Sequence, residues 1–146
     1  MNTKTIDYAL RATWQAVARM YNEEAAKYDA TMAIAFALLS IDREGTPSTS
    51  LGPKMGMEAT SLTRTLKNME EKGLIKKKKN PKDGRGVIIK LTALGLEKRE
   101  LSKTGVLQFN NTIRQHLSND QINTFLEVTE VITKLINEKR IFEDDE

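Results

Sequence analysis

Cysteine is absent from this chain of 146 residues. Disulfides, thiolate zinc sites, cysteine nucleophiles and thiol redox switches are excluded with it. Proline occurs 3 times and glycine 8 times, too seldom for a turn-rich β-sandwich or barrel. Histidine occurs once, as His116. A lone imidazole with no second histidine offers a metal little to hold, so neither metal nor cofactor is expected. His116 closes a predicted helix, where a cation beside the helix dipole accounts for it. No apolar run approaches the roughly 20 residues of a membrane helix, and the first residues lack a charged-then-apolar leader pattern. A cytoplasmic protein with no membrane partner is expected. Catalysis finds no foothold either. There is no Ser/His/Asp arrangement, no phosphate-binding glycine motif and no carboxylate pair in an identifiable apolar pocket, so no enzyme is expected.

What is abundant is charge, at 29% of residues with a net +3. Mapped along the chain, it is uneven. Residues 43–92 hold 12 basic against 5 acidic side chains, a net +7, while the rest of the chain carries −4. A basic middle between acidic flanks is the electrostatic footprint of a polyanion-binding centre.

At this length one domain is expected. Ile6, Ala9, Leu10, Thr13, Trp14, Val17, Met20 and Tyr21 form the stripe of an amphipathic helix reaching about Tyr28, with Arg11 and Arg19 off the stripe. Asp29 or Thr31 caps a second helix, apolar almost all round from Met32 to Leu39 and therefore central. Gly45 is its expected stop and Pro47 blocks continuation. A short third helix runs from Ser48 to Met55, in which Pro53 is expected to need the opening turn. After Gly56 a fourth helix spans about Ala59 to Lys72, with Leu62, Leu66 and Met69 inward and Gly73 as its stop.

Two β-capable runs, Leu74–Lys79 and Val87–Leu91, flank an Asn/Pro/Asp/Gly-rich centre and read as a hairpin with a long exposed tip. Strand alternation is expected to turn two of the lysines Lys76 to Lys79 inward or sideways. Thr92 caps a fifth helix from Ala93 to about His116. Ser118 and Gln121 form a capping box for a sixth, striped by Ile122, Phe125, Leu126, Val128, Ile132, Leu135 and Ile136. The acidic tail Glu143 to Glu146 is expected to fray.

Two short helices joined by a glycine break, followed by a lysine-rich hairpin, is the order of a winged helix-turn-helix. The predicted fold is mainly α with a small β-hairpin wing. Its fourth helix presents Thr60, Ser61, Thr63, Arg64 and Lys67 outward. Small hydroxyls with one Arg and one Lys suit a major groove, since they donate to phosphates and Arg grips guanine bidentately. Alone, such a face is an ordinary solvated surface. Joined to the basic hairpin, with Lys78 and Lys82, it points to double-stranded DNA.

Three short stretches are jointly specific: Met69-Glu70-Glu71-Lys72-Gly73-Leu74-Ile75, the hairpin-tip Asp83-Gly84-Arg85, and Leu91-Thr92-Ala93-Leu94-Gly95. With Leu38–Ile41 and Thr60–Leu66, they resemble the MarR family of bacterial transcriptional regulators over about 60 residues. The resemblance implies that Arg85 enters a minor groove and Asp83 orients it. It also implies a homodimer joined by first and last helices, about 1–28 and 93–141, around a DNA-binding lobe of about 30–92. The function implied is a sequence-specific regulator, expected to be a ligand-responsive repressor on a near-palindromic operator. Many family members release DNA on binding a small aromatic or other anionic effector. For that role the candidates are Arg11, Trp14, Met32 and Phe36, with Tyr21 and Tyr28 nearby in the pattern. For any one aromatic, a place in the core or a dimer interface is the plainer reading. Glu58 departs from the family at the fourth helix's cap, where Ser, Asp or Asn is usual, and Leu51-Gly52-Pro53 departs in the third helix. The competing reading is a winged-helix module that binds an acidic protein partner.

Overall fold

The computed structural model describes residues 4–82 and 86–143. In order it contains α1 (Ile6–Ala26), α2 (Met32–Ser40), β1 (Thr46–Pro47), α3 (Ser48–Met55), α4 (Ala59–Glu71), β2 (Ile75–Lys79), β3 (Val87–Leu91), α5 (Ala93–His116) and α6 (Asn119–Asn137). The chain divides into two compact units, residues 1–104 and 105–146. No described helix is long and apolar enough to cross a membrane.

The core of the first unit gathers around α2. Ile34, Ala37, Leu38 and Ile41 meet Leu51 of α3, Leu62, Leu66 and Met69 of α4, and Leu74, Ile75 and Ile89 of the wing. The all-round apolar run of α2 is thus central, as its sequence predicts. Leu62, Leu66 and Met69 follow the i, i+4, i+7 spacing and are buried, Thr65 is half-buried, and the other residues of α4 are exposed.

Chain punctuation explains most boundaries. Thr31, not Asp29, caps α2, its hydroxyl accepting from the Ile34 amide at 3.2 Å. Asp29 instead takes a left-handed φ of 55° in the turn after α1, which stops at Ala26 rather than Tyr28. At the end of α4, Gly73 has φ 73°. Its amide reaches the Glu70 carbonyl, and the Leu74 amide reaches that of Met69, a Schellman stop. Ser118 and Gln121 form the expected reciprocal capping box of α6.

Three expectations fail. Gly45 does not stop α2, which ends at Ser40; it turns at φ 106° with its amide on the Asp42 carbonyl. The next two residues form β1, an edge strand that pairs antiparallel with β3, so the sheet has the order β1-β3-β2. Proline suits that edge because it has no ladder hydrogen to give. Pro53 is not in the opening turn of α3 but well inside the helix. There it removes the helical donor of the exposed Thr49 carbonyl, and the helix ends two residues later. Lastly, Lys76 to Lys79 do not alternate: all four are exposed and only Ile75 of β2 is buried. β2 is the other edge of the sheet, and beyond Ile75 it leaves the core behind.

Candidate nucleic-acid interface

α4 holds the candidate reading face. Thr60, Ser61, Thr63, Arg64 and Lys67 are all exposed on it, opposite its buried leucines. The Thr63 hydroxyl donates within the helix to the Ala59 carbonyl at 2.8 Å. It therefore offers a ligand acceptor capacity and a methyl group rather than a free hydrogen. Glu58 occupies the N-cap in extended backbone and makes no side-chain cap bond, as its departure from the usual cap residues foreshadows. With no acid in the first turn, the opening amides of α4 are left for water or an anion.

The hairpin supplies the second element. Ile75↔Leu91 through Lys79↔Val87 are paired, and the Asn80 amide bonds the Gly86 carbonyl at 3.0 Å to close the ladder. Asn80 Oδ1 accepts from the Lys82 amide at 3.0 Å. Lys78 and Lys82 are exposed. Asp83 and Arg85, the candidate tip residues, lie outside the described residues together with Gly84.

Ion pairing sorts the basic residues of the middle third into two sets. Arg43 lies 3.5 Å from Glu100, Lys54 3.3 Å from Asp42 and Lys72 3.1 Å from Asp29. By contrast Arg64, Lys67, Lys76, Lys77, Lys78, Lys79, Lys82 and Lys90 have no ion pair among the described residues. Among those residues, the uncompensated cations of the middle third are therefore confined to α4 and the hairpin. The sequence singles out Arg64, Lys67, Lys78 and Lys82 as DNA contacts, and Lys76, Lys77, Lys79 and Lys90 share their unpaired state. The signal for the added lysines is the run Lys76 to Lys79, which strand alternation alone would split between two faces.

α5 is anchored to this interface by a close approach. Thr92 Oγ1 donates to the Gly73 carbonyl at 2.6 Å and accepts from the Gly95 amide at 3.0 Å. A Cβ on Gly95 would lie 2.0 Å from the Leu74 carbonyl oxygen. The Leu-Thr-x-x-Gly exit is thus a packing requirement: threonine joins two elements and glycine lets the helix meet bare backbone.

The candidate effector residues are less gathered. Arg11 is exposed with its guanidinium 5.8 Å from the Tyr8 ring centroid, and Trp14 is 53% exposed. Met32 and Phe36 are half-buried, and Phe36 meets Tyr21 edge-on with centroids 5.6 Å apart. Burial pushes the Tyr21 hydroxyl above the usual tyrosine range. Tyr28 lies under the Lys98 ammonium, 5.9 Å from its ring centroid. An open depression lies elsewhere, along α6, lined by Thr129, Glu130, Thr133, Lys134, Asn137 and Glu138. His116 Nδ1 lies 2.9 Å from the Thr112 carbonyl, which can only accept, so that nitrogen carries the proton. Among the described residues no group of acidic, histidine or cysteine side chains is placed to hold a metal ion.

Two short helices with a glycine break between them, an exposed cationic second helix and a basic three-stranded wing define a winged helix-turn-helix protein. Residues 31–87 match the model of the MarR family. An HTH-type transcriptional regulator of Bacillus subtilis strain 168, YdgJ, is 28% identical over 87 residues, 60% of this chain and 53% of the relative. The chain spans about half the length of that curated relative in the match. Solved structures share the fold over most of the chain. A cysteine-to-serine mutant of MarR from E. coli, complexed with operator DNA, is 25% identical with a TM-score of 0.78, covering 87% of this chain and 92% of that one. The PcaV regulator of Streptomyces coelicolor, in complex with its natural ligand, is 18% identical with a TM-score of 0.79, covering 92% and 96%.

Proposed function

We propose that this chain is a sequence-specific, double-stranded DNA-binding transcriptional regulator and not an enzyme. It works in the cytoplasm as a homodimer, represses from a near-palindromic operator and responds to a small aromatic or anionic effector. One observation carries the DNA reading: among the described residues, the unpaired cations of the basic third sit on α4 and on the wing. An acid-neutralised surface would hold its lysines in pairs, as Lys54 and Lys72 are held. A run of exposed, unpartnered lysines on an edge strand is a field waiting for phosphates.

The roles divide by chemistry. Thr60, Ser61 and Lys67 position the helix on backbone phosphates, Thr63 accepts, and Arg64 reads a base edge. Lys78 and Lys82 hold the wing to phosphate, while Arg85, aimed by Asp83, enters the minor groove. The lobe of about 30–92 does this work, and the helices of about 1–28 and 93–141 join two copies. Support for the joining is the exposed apolar surface of α1 and of α6: Trp14 at 53% and Phe125 at 58%, with Ile6, Leu10, Leu126, Val131 and Ile136 also uncovered. Arg11, Trp14, Met32 and Phe36 are the proposed effector contacts, supported by their shared unit and by a ligand complex known for PcaV.

The test is a gel-shift titration with the DNA upstream of the chain's own gene, against random duplex, at two salt concentrations. Preference for the upstream DNA, with affinity falling steeply as salt rises, is the expected result. Binding to an acidic polypeptide but to no duplex would replace this reading with the acidic-partner one.

A further inference from the structure

Lys72 is the one cation of α4's end that is already engaged. Its Nζ donates to the Asp29 carbonyl at 2.6 Å, across 43 residues of sequence, and lies 3.1 Å from the Asp29 carboxylate. The two acceptors are unequal. The Asp29 side chain is 97% exposed, so its ion pair is screened and weak. The Lys72 side chain is only 29% exposed, and its bond to the carbonyl is short and charge-assisted.

The acceptor is itself held rigidly. The Asn22 side chain of α1 accepts from the Met32 amide at 3.0 Å, Thr31 caps α2, and the Ala30 amide returns to the Ala25 carbonyl. Asp29 sits inside this corner in a left-handed turn. One residue further along from Lys72, Gly73 presents its carbonyl to Thr92, just before α5. The end of α4 is therefore tied by side chains to two helix junctions, one leaving α1 and one entering α5.

Resting on the DNA-binding reading, we propose that Lys72 is a positioning residue that aims the recognition helix by holding the α1–α2 corner, and not a phosphate contact. Its ammonium is committed to Asp29, so its loss changes where Arg64 and its neighbours point and leaves the count of phosphate contacts unchanged. The unpaired lysines of the basic third behave oppositely, each acting through its charge.

Binding isotherms by fluorescence anisotropy decide it, using wild type, Lys72→Met, Asp29→Gly and Lys78→Gln with upstream DNA and random duplex over a salt series. Lys72→Met is expected to cost about tenfold on the upstream DNA, the scale of one charge-assisted hydrogen bond. Its salt slope stays that of wild type and the upstream-to-random ratio shrinks. Asp29→Gly keeps the carbonyl and the left-handed backbone, and stays within about twofold of wild type, as loss of a screened surface pair predicts. Lys78→Gln loses about 0.9 of a log–log unit of slope on both duplexes. Urea midpoints accompany each variant, and if Lys72→Met does not fold, Lys72→Gln makes the same comparison. A Lys72 variant that loses slope equally on both duplexes makes Lys72 a phosphate contact and overturns the proposal. One that lowers only the urea midpoint, with both affinities intact, makes it a fold prop and overturns it too. If wild type binds no duplex the functional reading itself fails, whereas wild-type binding with either of these Lys72 results removes only this inference.

Discussion

Gly95 shows what a single absent methyl group does. Its place against the Leu74 carbonyl leaves no room for a Cβ, so Gly95→Ala must move α5 off the wing or bend the strand entry. Overpacking of this kind costs roughly 1–3 kcal/mol. Urea denaturation is expected to show that loss, whereas Gly105→Ala, with no neighbour near its missing Cβ, should stabilise α5 by about 0.5–1 kcal/mol. Tyr21 gives a pH-dependent counterpart. Its folded pKa lies above that of the unfolded chain, so the native state holds the proton more tightly. Stability from this group is full below about pH 10, where the unfolded tyrosine ionises, and falls as pH rises through and beyond that value. A Tyr21→Phe variant should lose that alkaline decline, measured as urea midpoint against pH. At this scale the sequence was readable where a residue's role is local. Thr31 and Ser118 act within their own turns, whereas Lys72 and Gly95 act on partners many residues away.

The helices were legible as elements because their apolar spacing and their caps agree. β1 was not, since two residues carry no period and Pro47 reads as a breaker unless the edge of a sheet is already known. The lysine strand departs from alternation for a related reason: alternation predicts burial only where a second layer covers the strand, and Lys76 to Lys79 are all exposed. That exposure makes the wing an electrostatic element on both faces. Lys76 and Lys78 pair across from Lys90 and Ile88, and Lys77 and Lys79 from Ile89 and Val87. Replacing either pair by glutamine should lower the salt slope of DNA binding, by up to about two units for two phosphates lost. If only one pair matters, the wing lies flat on the duplex. The candidate site was thus readable in kind, as a basic helix and a basic hairpin. Which cations are free and which are tied was not, because pairing depends on tertiary neighbours.

At the scale of the molecule, the proposed homodimer rests on the exposed apolar side chains of α1 and α6. Light scattering at micromolar concentration should give twice the monomer mass, and Trp14→Glu with Phe125→Glu should shift it toward one copy. A two-fold molecule presents two reading helices, so operator half-sites should repeat at about 10–10.5 base pairs or a multiple. The missing cysteine sets a further expectation: peroxide that leaves methionines intact should leave DNA binding unchanged, because no thiol exists to oxidise.

The bond from the Asn80 amide to the Gly86 carbonyl has a bearing on loop length as well as on folding. It seals the hairpin below its tip, so the strand register that buries Ile75 and Ile89 is fixed beneath that point. Residues inserted or removed between Asn80 and Gly86 would change the reach of the wing without sliding lysines against isoleucines. Loops closed in this way accept length changes at small entropic cost. Changes in loop length above Asn80 and Gly86 therefore leave the core beneath with its register intact.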